Sequence, residues 1–169
     1  IWVVEDPSAM DEIMDRLINW DVIGFDTETR PTFRKGKMNK VSLLQLSVDH
    51  EVYLIRIRKT SFPDKLKEIF ENPEIVKTGV AIRDDIKKLN ELRPFKAEGF
   101  VELQDYSCHF GIESNSLRKL AAIVLGFRIS KSQQTSNWEA PRLDDSQIKY
   151  AAMDAWASRE IYLKLRNSA

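Results

Sequence analysis

The hydrophobic pattern of the chain switches repeatedly between periods of 3.6 and 2. Met10, Ile13, Met14, Leu17 and Ile18 fall at helical spacing after Pro7-Ser8, so residues 7–20 read as a helix. Val22–Asp26 is a short apolar strand. Residues 29–40 contain Pro31 and Gly36 with Arg30, Arg34, Lys35, Lys37 and Lys40, and read as a basic loop. Residues 40–48 and 51–57 read as strands, with Asp49-His50 between them as a tight antiparallel hairpin. Next come a helix over 62–71 ending before Pro73, a strand over 75–78, a helix over 81–92 after the Gly79 turn, and a strand over 100–103. Ser116 suits the N-cap of a helix over 117–125 that stops at Gly126, and the last helix runs over 144–165 after a polar stretch. This order predicts an α/β sheet with an antiparallel hairpin at one side, flanked by helices.

The chain's 169 residues fit one domain, 1–169. With 43% hydrophobic and 31% charged residues the composition is that of a folded globular chain, and no apolar run reaches the roughly 20 residues of a membrane span. One cysteine, Cys108, excludes an internal disulfide and a cysteine-built zinc site, and two histidines exclude a histidine-rich metal site. The expectation is an intracellular protein, cytoplasmic in a bacterium and nuclear in a eukaryote. A start at Ile1 rather than Met suggests a domain of a larger parent chain. The 26 basic and 26 acidic residues cancel, which argues against nucleic-acid binding through bulk positive charge, though bound metal ions can supply charge locally.

The candidate chemistry lies in carboxylates at inward positions. Asp26 and Glu28, two apart on a strand, point to the same side and repel each other unless a cation intervenes; an ordinary solvated strand end is the alternative. In the last helix, Ala157, Tyr150, Ile161, Asp154 and Leu165 share a stripe about 80° wide. Asp154 has no Lys or Arg one turn away, so its burial requires a proton, a hydrogen bond or a metal. Tyr150 lies one turn before it, either as a structural hydrogen-bond partner or as part of a site. Ile82, Ile86, Leu89 and Leu92 define the apolar side of the 81–92 helix, and Asp85 lies inside that arc whereas Asp84 projects outside it.

Phe25-Asp26-Thr27-Glu28, Gly79–Asp85 and Tyr150-Ala151-Ala152-Met153-Asp154, in this order, resemble the DEDD superfamily of 3′–5′ exonucleases in its tyrosine subclass. Lys35-Gly36-Lys37, Val41–Leu46, the Leu117–Gly126 helix and Ser136-Asn137-Trp138 are most similar to the Werner-syndrome helicase exonuclease group, and ribonuclease D is a more distant likeness. The resemblance implies a ribonuclease H-like fold with a mixed five-stranded sheet. It further implies two divalent cations, magnesium or manganese: Asp26, Glu28 and Asp154 on the first, Asp26 bridging to the second, and Asp85 holding that one through water. Tyr150 is then expected to position the attacking water and Lys37 to lie near substrate, unless Lys37 is merely a solvated loop charge. The implied partner is nucleic acid with a free 3′ end, DNA in preference to RNA, with a helicase on the parent chain or beside it. Ribonuclease D-like action on RNA and a non-catalytic binding module are the competing readings. One departure is Lys87, where some Werner-like domains carry an aromatic residue.

Overall fold

A computed structural model describes all residues 1–169. In chain order the elements are β1 (Trp2–Val4), a 3-10 turn (Pro7–Ala9), α1 (Met10–Leu17), β2 (Val22–Thr29), β3 (Val41–Val48) and β4 (Glu51–Ile55). Then follow α2 (Asp64–Glu71), β5 (Val76–Gly79), α3 (Ile82–Leu92), β6 (Phe100–Glu102), α4 (Leu103–Cys108), α5 (Leu117–Leu120) continuing into a π-helical turn (Ala121–Leu125), and α6 (Asp145–Ser168). The sheet has six strands in the order β1-β4-β3-β2-β5-β6. Pairs β2–β3 and β3–β4 are antiparallel, and β1–β4, β2–β5 and β5–β6 are parallel. The expected mixed sheet is therefore present with one strand more than the five anticipated. The added strand, β1, has Trp2 and Val3 exposed and only Val4 buried, so its three residues carry no periodic signal.

Helices cover both faces. On one, α1, α2 and α3 contribute Met14, Leu17, Ile69, Phe70 and Leu89 to a core that includes Ile23, Phe25, Leu44 and Leu46 of the sheet. On the other, α6 packs Ala151, Ala155, Ala157 and Ile161 over Leu43, Leu54 and Val22. Every residue of β3 is buried, which is why its apolar run does not alternate.

Two features of β2 place the site. Its odd positions Ile23 and Phe25 enter the α1–α3 core, so its even positions Gly24, Asp26 and Glu28 face α6. A Cβ at Gly24 would stand 2.0 Å from the Ala155 carbonyl oxygen, so only glycine lets α6 cross this close to the strand. In addition, β5 pairs with β2 only at Val22–Gly24, whereas β3 follows it to Thr29. The last residues of β2 thus overrun their parallel neighbour and leave a crevice at the carboxyl end of the strand, where ligands bind in open α/β sheets.

Candidate active site

The crevice is a cleft of about 370 Å³ lined by Asp26, Glu28, Asp154, Tyr150, Arg118, Lys131 and Gln134 among others. Asp26 and Glu28 come from the overrunning end of β2. Asp154 comes from α6, started by a capping box in which Asp144 accepts from the Gln147 amide while the Gln147 side chain accepts from the Asp144 amide. Carboxylate oxygens of Asp26, Glu28 and Asp154 lie within 4.8 Å of one another. Asp154 is 4% exposed, and its Oδ1 is buried with no hydrogen-bond partner.

Such a cluster is unfavourable as three free anions. Burial, then the charges of Glu28, Asp154 and Asp85, holds the Asp26 carboxyl well above its ordinary 3.8. Burial with the Asp154 and Asp85 charges pushes Glu28 up to about 8. Asp154 is raised by burial to about 6, against the opposing pull of the Arg118 guanidinium. The site therefore demands protons or cations. An all-oxygen set with an orphaned buried oxygen suits a hard divalent ion, so the residues present fit the group.

Asp85 stands slightly apart. It is on the inward side of α3, as the periodicity predicts, while Asp84 is exposed. It accepts a hydrogen bond from Thr27 Oγ1, on the strand between Asp26 and Glu28, and burial raises it to about 6. It is not among the three carboxylates whose oxygens cluster, yet its charge is felt at both Asp26 and Glu28. The turn that aims α3 holds Ala81 at φ +56°, the one non-glycine residue in the left-handed region. Its amide and that of Ile82 both donate to the Glu102 carboxylate at 2.9 Å, which caps the helix.

Tyr150 is buried at the cleft wall, its ring 6.0 Å from that of Trp138. Its hydroxyl accepts from Arg118 Nη2 at 2.8 Å rather than bonding Asp154. Burial and the nearby Asp154 and Glu28 charges push the phenol up to about 12, so it stays protonated at neutral pH. Arg118, from the first turn of α5, also donates to the Ser130 carbonyl at 2.9 Å and lies 5.6 Å over the Tyr150 ring. The sequence reading missed it. Trp138 is fully buried and therefore a packing anchor, while Gln147 Nε2 holds the Ser136 hydroxyl and the Asn137 carbonyl beside it. Lys37 is exposed in the loop between β2 and β3 and is not among the residues that line the carboxylates' cleft.

A family model described as 3′-5′ exonuclease matches residues 1–169. This chain belongs to the 3′–5′ exonuclease family. Its relatives include the bifunctional 3′-5′ exonuclease/ATP-dependent helicase WRN of Mus musculus, 42% identical over 168 residues that cover 93% of this chain and 12% of that protein. A 3′-5′ exonuclease of Arabidopsis thaliana is 30% identical over 151 residues, 86% of this chain and 52% of that one. The chain thus spans between about an eighth and about half of these relatives. The Nibbler EXO domain of Aedes aegypti superposes with a TM-score of 0.86 at 25% identity, covering 98% of this chain and 86% of that one. Ribonuclease D of Escherichia coli shares the fold, with a TM-score of 0.85 at 20% identity over 98% of this chain and 45% of that chain. Divalent metals serve this family, and the cluster of Asp26, Glu28 and Asp154 is the matching feature here. No helix is long and apolar enough to cross a membrane.

Proposed function

We propose that this chain hydrolyses the terminal phosphodiester bond at the 3′ end of a nucleic-acid strand, releasing nucleoside 5′-monophosphates with two divalent cations, magnesium or manganese. The observation that carries this reading is the buried, partnerless Oδ1 of Asp154 beside Asp26 and Glu28, in a member of a 3′–5′ exonuclease family. The bound cations supply charge neutralisation and a more acidic water at the reacting phosphate.

The protein's own groups supply the rest. Asp26, Glu28 and Asp154 would hold one ion, and Asp85, oriented by Thr27, would help to hold a second. The Tyr150 oxygen accepts from Arg118, which leaves its own O–H and remaining lone pair to orient a water. Arg118 adds a fixed positive charge beside the developing negative charge on phosphate. Lys37 approaches the strand from the loop. DNA is the substrate we favour, on the Werner-like motifs around Lys35-Gly36-Lys37 and Ser136-Asn137-Trp138. Action within a larger chain or beside a helicase, inside the cell, completes the reading; the mouse relative's name couples the two activities.

Matched DNA and RNA oligonucleotides, single-stranded and recessed, test it. Wild-type protein should release mononucleotides from 3′ ends in magnesium or manganese, and Asp26→Ala and Asp154→Asn should abolish release while remaining folded. Unchanged release in either variant, or degradation from the 5′ end, would overturn the assignment.

A further inference from the structure

The loop between β2 and β3 is a closed arm. Asn39 Nδ2 donates to the Arg30 carbonyl at 2.8 Å and ties its base. At its tip, Lys37 N–H donates to the Arg34 carbonyl at 3.3 Å, with Gly36 at φ +79° completing the turn. Phe33 and Met38 flank this turn and are 90% and 75% exposed. Arg34, Lys35, Lys37 and Lys40 stand around them, and the only ion pair on the arm is Arg30–Glu139. In a chain of zero net charge, this one arm carries four unpaired cations and one bare aromatic ring. The other strongly exposed aromatic, Trp2, neighbours Glu5, Asp6, Glu12 and Arg16, and Arg16 is already paired with Glu12, so no free cation there awaits a polyanion. The arm springs directly from Glu28-Thr29, the end of the strand that carries two of the cleft carboxylates.

We propose that Phe33 is a stacking platform for a nucleobase of the single strand entering the cleft, with the arm's lysines and arginine tracking its phosphates. An exposed ring within a cationic groove is the combination that binds unpaired nucleic acid without reading its sequence. A purely electrostatic arm would need no Phe, and a structural Phe would be buried. The inference rests on the nuclease reading for the identity and direction of the strand.

The test is fluorescence anisotropy of a 5′-labelled single-stranded oligodeoxynucleotide with the 169-residue chain in EDTA, where no turnover occurs. Phe33→Ala and Phe33→Leu should weaken binding by about 5- to 150-fold, the range for loss of one stacked base, and Phe33→Trp should restore it. All three should melt like wild type, because the ring touches no core. An abasic site moved stepwise from the 3′ end should cost wild type affinity at one position and cost Phe33→Ala nothing further there, the coupling expected of a direct contact. Equal affinity of wild type and Phe33→Ala, or abasic penalties that are the same in both at every position, would overturn the proposal. So would an arm that binds polyglutamate and ignores the oligonucleotide, which would assign it to an acidic protein. Degradation without coupling sinks the stacking platform alone; coupling without degradation in magnesium or manganese sinks the nuclease reading alone.

Discussion

Asp154→Asn should make the metal-free protein more stable at pH 8 and remove its response to magnesium. The Asp154 carboxyl titrates at about 6 in the folded protein against an ordinary 3.8, because burial disfavours its charge. Between those values the native state holds more protons than the unfolded chain, so stability falls as pH rises through the window and stays low above it. A separation of about two corresponds to roughly 3 kcal/mol, and the side chain is too buried for solvent to screen much of it. Asparagine keeps the shape, removes the charge and adds a donor for Asp26 or Glu28. The variant should therefore gain about 2–3 kcal/mol at pH 8 and almost nothing at pH 4, or roughly 5–10 °C in melting temperature for a domain of this size. Circular-dichroism melts in EDTA at pH 5 and pH 8, repeated with magnesium and manganese, measure both effects. Wild type should rise on adding metal, more at pH 8 than at pH 5 because protons compete for the same oxygens. A variant that melts below wild type at pH 8 in EDTA would refute the reasoning, since Asp154 would then be a stabilising partner rather than an uncompensated charge.

Tyr150→Phe preserves the packing on Trp138 and deletes the oxygen, so kcat should fall about 100-fold with KM nearly unchanged in steady-state kinetics. Arg118→Met removes a 2.8 Å hydrogen bond to that oxygen and the cation that opposes the raised Glu28 value; kcat should drop about 10-fold, and the acid limb of the pH–rate profile should move to higher pH. Gly24→Ala drives a methyl into the Ala155 carbonyl, so urea titration should show a loss of about 3 kcal/mol, and the displaced Asp154 should take activity with it.

Legibility followed the length scale of the signal. Asp85 was separable from Asp84 because the helix period runs through four apolar residues around it, and Asp154 because the stripe it interrupts is long. Two short elements, β1 and α4, escaped: β1 buries only Val4, and α4 is a six-residue turn capped by Glu102, which also caps α3. The helix expected over 117–125 is α-helical only to Leu120 and then widens into a π turn before Gly126, a change with no compositional mark. Arg118 was invisible for a different reason. It stands next to Lys119 on what reads as a solvated helix start, and its partner Tyr150 is 32 residues away, so only the tertiary fold turns it toward the cleft.

The position of β2 bears on how the protein fails when heated. It lies inside the sheet with a core on each face, and Asp26 and Glu28 cannot be released without exposing both cores. The β2 amides paired with β3 and β5 should exchange hydrogen only through global opening, whereas those of residues 30–39 exchange far sooner. The carboxylate cluster therefore has no separate melting event, and a population that has lost it has lost the fold. Activity and native structure should vanish along a single curve, with no folded but inactive species accumulating on the way.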